Sequence, residues 1–205
     1  MVDDWTIPRC CRGEFLFIDQ FGALLPATPA DAWSRGWRQL GETAAEYAAK
    51  RAAGVGFFML ADSGKALPHP DIPEFRIVLD LATLQYTLPV PVWFRHRAAD
   101  PVGEAWSIEI GRGGLYAEGA VDRRLPFGRL VYELARERFV WAASVGVRCG
   151  RGRLYAHKDN RFELNGRQFE NPVDRPVFVA KGWTLTELSF CQRGHDPETI
   201  VKVDA

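Results

Sequence analysis

Trp106-Ser107-Ile108-Glu109-Ile110-Gly111-Arg112-Gly113-Gly114-Leu115-Tyr116-Ala117-Glu118-Gly119-Ala120-Val121 is the stretch on which the fold class turns. From Trp106 to Ile110 apolar and polar residues alternate, the period of a strand with one buried face. The glycines at 111, 113 and 114 mark a turn, and Leu115 to Val121 returns as the antiparallel partner. Further strands are expected upstream at Gly56-Phe57-Phe58-Met59-Leu60, at Phe75 to Leu81, and at Val90 to Arg95, where Pro91 interrupts the run. Downstream, Phe139 to Val147 and Gly182 to Cys191 have the same character.

One helix breaks the β texture. Asp122 to Pro126 opens it, with Pro126 in a first turn that needs no N–H. Phe127, Leu130, Val131 and Leu134 supply its apolar stripe. Residues 148–176, rich in Gly, Asn and Arg, are expected to form a mobile or partner-dependent loop near Ser144.

The first 54 residues have a different texture. Thr28-Pro29-Ala30-Asp31 is a helix start. Trp33, Trp37, Leu40, Ala44, Tyr47 and Ala48 then recur on one helical face. The expected organisation is an N-terminal helical arm over 1–54 and a domain over 55–205. The class is α+β, with a mostly antiparallel, barrel-like β core and surrounding helices.

The 205 residues are 47% hydrophobic and 25% charged, which suits one globular domain and excludes a disordered or fibrous chain. The 26 basic and 26 acidic side chains cancel, so no bulk charge draws nucleic acid. Arg148, Arg151, Arg153, Lys158, Arg161 and Arg167 are interleaved with Asp159 and Glu163, as on a solvated loop. Cys10, Cys11, Cys149 and Cys191 make no CxxC pair, so free thiols in a reducing compartment are expected, with no metal site. The sequence implies no cofactor. The N-terminus has no apolar core of a signal peptide, and no apolar run is long enough for a membrane span.

Three residues carry candidate chemistry. His96 ends the apolar run Val92-Trp93-Phe94-Arg95-His96, a rigid support for a general base. Ser144 sits among small residues in Ala142-Ala143-Ser144-Val145-Gly146-Val147, where Gly146 would permit an unusual backbone path. Glu187 lies in the apolar strand Trp183 to Phe190, where an acid needs a partner such as a histidine. Strict alternation puts Leu185, Glu187 and Ser189 on one face and Thr184, Thr186 and Leu188 on the other.

Taken together, these pieces resemble a known family. Pro91-Val92-Trp93-Phe94-Arg95-His96, Asp100-Pro101-Val102-Gly103-Glu104, Gly114-Leu115-Tyr116-Ala117-Glu118-Gly119, Ala143-Ser144-Val145-Gly146-Val147, Thr186-Glu187-Leu188-Ser189 and Asp196-Pro197-Glu198 follow in the order found in the prohead proteases of tailed phages. That family shares the fold of the herpesvirus maturation protease, assemblin. The resemblance implies a serine endopeptidase of phage or prophage head maturation, with His96 as base, Ser144 as nucleophile and Glu187 orienting His96. It implies capsid and scaffold proteins as substrates, a homo-oligomer, and a place in the bacterial host cytoplasm inside the assembling procapsid. Backbone N–H groups of Gly146, Val147 and Arg148 are the expected oxyanion donors. The stretch from Asp62 to Leu81 does not carry the family's usual opening text, and Cys191 and Arg193-Gly194-His195 replace its usual small-residue ending. Two other readings stand beside this one. One is a catalytically silent capsid-assembly or scaffold-like protein on the same fold. The other is a thiol hydrolase using Cys149 or Cys191.

Overall fold

A computed structural model describes residues 54–69, 75–111, 113–173 and 176–205. The N-terminal arm expected over 1–54 lies almost wholly outside them. The described residues are mostly β, and the largest unit is a seven-stranded sheet. Its strands are β1 (Val55–Asp62), β4 (Val90–Phe94), β5 (Arg97–Gly111), β6 (Gly114–Val121), β7 (Ala142–Arg148), β12 (Thr184–Cys191) and β13 (Ile200–Val203). They run in the order β13-β1-β6-β5-β4-β12-β7. A bridge between Trp141 and Val201 joins the segment before β7 to β13, so the two ends of the sheet curl toward each other.

The β5–β6 hairpin forms where the alternation places it, with Gly111 opposite Gly114 across the turn. Gly103 and Gly119 are required by close approach: a Cβ at either would meet the neighbouring strand's carbonyl at 1.9 or 2.1 Å. Pro91 lies in the middle of the sheet, against the usual rule. It is tolerated because β4 pairs with β12 only from Val92 onward, so the missing N–H costs no bond on that side.

The concave face of the sheet buries Met59, Val92, Val102, Leu115, Leu188 and Phe190, with Trp141 closing one end. The helix α1 (Pro126–Arg136) starts on Pro126, as expected. Its stripe is narrower than the sequence suggests. Val131 is buried and receives the Trp141 indole N–H on its carbonyl, and Phe127 stacks on Phe94, but Leu130 is 40% exposed. Phe139 and Val140 are also exposed and precede β7 rather than opening it.

A smaller four-stranded sheet has the order β2-β3-β11-β8, from β2 (Leu67–Pro68), β3 (Arg76–Leu79), β8 (Arg153–Ala156) and β11 (Val177–Lys181). The hairpin β9 (Arg161–Leu164)–β10 (Arg167–Glu170) packs Phe162 and Phe169 against Val179 and Val177. The expected loop over 148–176 therefore carries three short strands, Arg153–Ala156, Arg161–Leu164 and Arg167–Glu170, between its loop segments. Its turn, Asn165-Gly166, has both residues at positive φ, which fits a two-residue hairpin.

Strand β12 departs from strict alternation. A bulge between Leu185 and Glu187 moves Leu185 to the core face with Leu188 and Phe190. Glu187, Ser189 and Cys191 are left on the opposite face. A bulge shifts the period-two pattern by one residue, which is why Leu185 and Glu187 do not share a face.

Candidate active site

His96 stands in the tight connection between β4 and β5. Phe94 pairs with Arg97, so Arg95 and His96 are the two loop residues, at φ values of 54° and 60°. Such a turn suits Asn-Gly, and two residues with side chains held there carry local strain of about 1–3 kcal/mol each. Strand β12 holds them in place: Arg95 N donates to the Phe190 carbonyl at 3.0 Å, and His96 N donates to Ser189 Oγ at 3.0 Å.

The imidazole of His96 is buried and meets Glu187. His96 Nδ1 lies 2.7 Å from Glu187 Oε1, and Glu187 is fully buried. The other carboxylate oxygen, Oε2, accepts a hydrogen bond from Ser189 Oγ at 2.7 Å. Across the strand pair stands Gly146, the register partner of Glu187. A Cβ at Gly146 would lie 2.1 Å from Glu187 Oε1. Its φ is not positive, so the glycine supplies space for the carboxylate rather than the unusual backbone path that the sequence suggests.

Ser144 lies on β7 directly opposite Ser189. Residues directly opposed in antiparallel strands share a face, so Ser144 shares the face of Glu187, Ser189 and the His96 turn. The geometry joins His96 to Glu187 and sets Ser144 on their face, but no hydrogen bond links Ser144 to His96. His96 Nε2 is buried and makes no hydrogen bond of normal geometry. Gly146, Val147 and Arg148, the expected oxyanion donors, are register partners of Glu187, Leu185 and Thr184.

Burial opposes charge on His96, but the adjoining Glu187 carboxylate outweighs it and the neighbouring Cys191 thiol adds to it. The imidazole pKa is therefore raised well above its usual value.

A cleft enclosing about 710 Å³, part of it open to solvent, borders Ser144. Val145, Val147, Leu79 and Trp183 line it with apolar surface, and His195 and Lys65 stand in its lining too. The turn after β12 is tied to the N-terminal strands. Asp196 Oδ2 accepts from Ser63 N at 2.9 Å, and Thr199 Oγ1 donates to the Ala143 carbonyl at 2.7 Å, one residue from Ser144. Asp62, nearby, has its carboxyl pKa pushed up to about 6. Burial is the main cause and Asp196 adds to it, while the Gly64 N–H and Arg167 pull the other way.

Of the other candidates, Cys191 stays in this cluster, beside His96 on the face of Glu187 and Ser189, and the rest fall away from it. His69 packs on Phe75, and His157 stacks on Phe162. Cys149 Sγ contacts the Gly152 carbonyl, and burial pushes its thiol up, the wrong direction for a nucleophile. Ser189 was missed as a site residue in the sequence, although its place two residues after Glu187 puts it on the same strand face. Among the described residues no cluster of His, Cys, Asp and Glu could hold a metal ion. No helix among them is long and apolar enough to cross a membrane.

The chain matches no family model and no curated protein. Among solved structures it is similar to Kaposi's sarcoma-associated herpesvirus protease crystallised with an allosteric inhibitor. In one such structure the identity is 14% and the TM-score 0.39, over 73% of this chain and 75% of the other. In a second, with a different inhibitor, the identity is 16% and the TM-score 0.39, over 73% and 77%.

Proposed function

We propose that the chain is a serine endopeptidase, with Ser144 as nucleophile, His96 as general base and Glu187 as the group that orients the base. The observation that carries the reading is the buried His96–Glu187 pair at 2.7 Å with Ser144 on the same sheet face. A serine hydroxyl is a weak nucleophile until an imidazole takes its proton. Glu187 accepts the Nδ1 proton of His96, which fixes the tautomer that leaves Nε2 as the base. Ser144 Oγ would add to the peptide carbonyl while its proton passes to Nε2. The protonated His96 would then give that proton to the leaving amine, and water would hydrolyse the acyl-enzyme by the same relay in reverse.

The raised pKa of His96 sets a condition on this cycle. The base must first lose its resting proton, so activity is expected to climb on the alkaline side of the usual histidine value. Because β7 is an edge strand, alternate N–H groups face away from β12. Those among Gly146, Val147 and Arg148 are the proposed oxyanion donors.

Head maturation as the setting rests on the motif order from Pro91 to Glu198. Capsid and scaffold proteins are the proposed substrates, and the interior of a procapsid in the host cytoplasm is the proposed place of action, with the chain as a homo-oligomer. The test is co-expression of the wild type or Ser144→Ala with a tailed-phage capsid protein and its scaffold. Cleavage by the wild type alone supports the proposal. Equal processing by both removes Ser144 from the role. If neither cleaves and both still support capsid assembly, the chain is a catalytically silent assembly protein on this fold.

A further inference from the structure

The hydroxyl of Ser189 is fully buried and links two parts of the site. It donates to Glu187 Oε2 at 2.7 Å and accepts from the backbone N–H of His96 at 3.0 Å. A hydroxyl has one proton to give and two lone pairs to receive. Here the backbone N–H of the strained His96 turn occupies an acceptor site, so the proton is directed at the carboxylate. Glu187 thereby has both oxygens engaged, Oε1 by His96 Nδ1 and Oε2 by Ser189.

We infer that Ser189 is a positioning residue, which holds Glu187 aligned while anchoring the backbone of His96. The inference rests on the proposed triad. The strand geometry makes the arrangement specific: Glu187 and Ser189 stand two apart on one face of β12, and Ser144 faces Ser189 from β7. No other described side chain bonds both members of the pair.

The consequence has a sign. A donor to the carboxylate spreads its charge and weakens its hold on the imidazolium, which favours the state in which His96 has lost its Nε2 proton. Removing the donor makes the pair hold that proton more tightly. The Ser189 bond to Glu187 persists on both sides of the His96 titration, so only its difference in strength counts, and Ser189→Ala should move the pH midpoint of Ser144 reactivity to the alkaline side by less than about one unit. A merely structural serine would lower reactivity by the same factor at every pH and leave the midpoint in place.

The experiment follows the labelling rate of Ser144 by a fluorophosphonate across pH in the full chain, alongside NMR titration of the His96 ring carbons. Ser189→Ala is expected to shift both midpoints upward together, and Ser189→Thr, which keeps the hydroxyl, to restore them. If Ser189→Ala does not fold, Ser189→Cys takes its place and should give a smaller alkaline shift, because the thiol is a weaker donor. Midpoints unchanged from the wild type in a folded Ser189→Ala or Ser189→Cys variant overturn the inference. Absence of labelling in the wild type would instead count against Ser144 as nucleophile. The NMR midpoint still decides the role of Ser189 in that case.

Discussion

Gly146→Ala adds one methyl group at the point where the site has no room for it. The new Cβ would lie 2.1 Å from Glu187 Oε1, 2.7 Å from its Cγ and 2.8 Å from its Cδ. Heavy atoms in contact sit at about 3.5 Å or more, so the carboxylate must retreat by roughly 1 Å or further. The Nδ1–Oε1 bond is 2.7 Å now, and that retreat takes it beyond hydrogen-bond range. Overpacking of this kind costs about 1–3 kcal/mol, and losing a hydrogen bond between charged groups adds about 1.5–3 kcal/mol. A destabilisation of about 3–5 kcal/mol corresponds to a Tm lower by roughly 6–20 °C in a domain of this size. Reactivity should fall further, because a histidine without its orienting carboxylate loses about four orders of magnitude in turnover. Differential scanning calorimetry and fluorophosphonate labelling read the two effects. The double variant Gly146→Ala/Glu187→Ala should recover part of the lost Tm, since the second change removes the atoms that clash. A Gly146→Ala protein that melts and labels like the wild type would refute the reasoning, and so would strictly additive effects in the double variant.

Three other outcomes follow from the same geometry. Ser144→Ala removes a small, half-buried hydroxyl that His96 does not engage, so thermal stability should change by no more than about 1 kcal/mol while labelling and cleavage vanish. The folded-state pKa of His96 is raised to about 10, so its contribution to stability is complete below the unfolded value of about 6.5 and is lost as pH rises through 10. Urea midpoints should fall across that window in the wild type and stay flat in Glu187→Gln. Asp62 has a linkage of the same sign in a lower window: an acid raised to about 6 costs stability as pH climbs from about 4 through 6. Asp62→Asn keeps an acceptor for the Gly64 N–H, so it should raise the unfolding free energy from urea titration at pH 7.5 by at most about 3 kcal/mol and give no gain at pH 4.

The sequence was most legible where one local rule acted alone. The β5–β6 hairpin could be read because its alternation, its glycines and its return strand agree. The β9–β10 hairpin carried an equally plain signal, Asn165-Gly166 between Arg161-Phe162-Glu163-Leu164 and Arg167-Gln168-Phe169-Glu170. The charge and glycine content of residues 148–176 argued for a loop and hid it. The strands there expose most of their charged side chains and bury little besides Phe162 and Phe169, so composition was a poor guide. The bulge on β12 could not be read at all. An extra residue in one strand leaves no mark in the sequence of that strand, yet it decides that Glu187 turns away from Leu185 and toward His96.

The site itself shows why residue types were easier to find than their arrangement. His96 and Glu187 stood out because an acid in an apolar strand demands a partner, and the structure supplies that partner at 2.7 Å. Their alignment depends on features that local rules disfavour. A two-residue turn without glycine at Arg95-His96 is a poor choice for a hairpin, and a glycine inside β7 is a poor choice for a strand. Each is compensated across β12. The Arg95 and His96 N–H groups are taken up by Phe190 and Ser189, and the space at Gly146 is filled by Glu187. The two violations therefore meet at one pair of side chains. Either one alone could be an accident of packing, but a strained turn and an unfilled strand position converging on a buried imidazole and its carboxylate support the proposal that stability is given up here for chemistry.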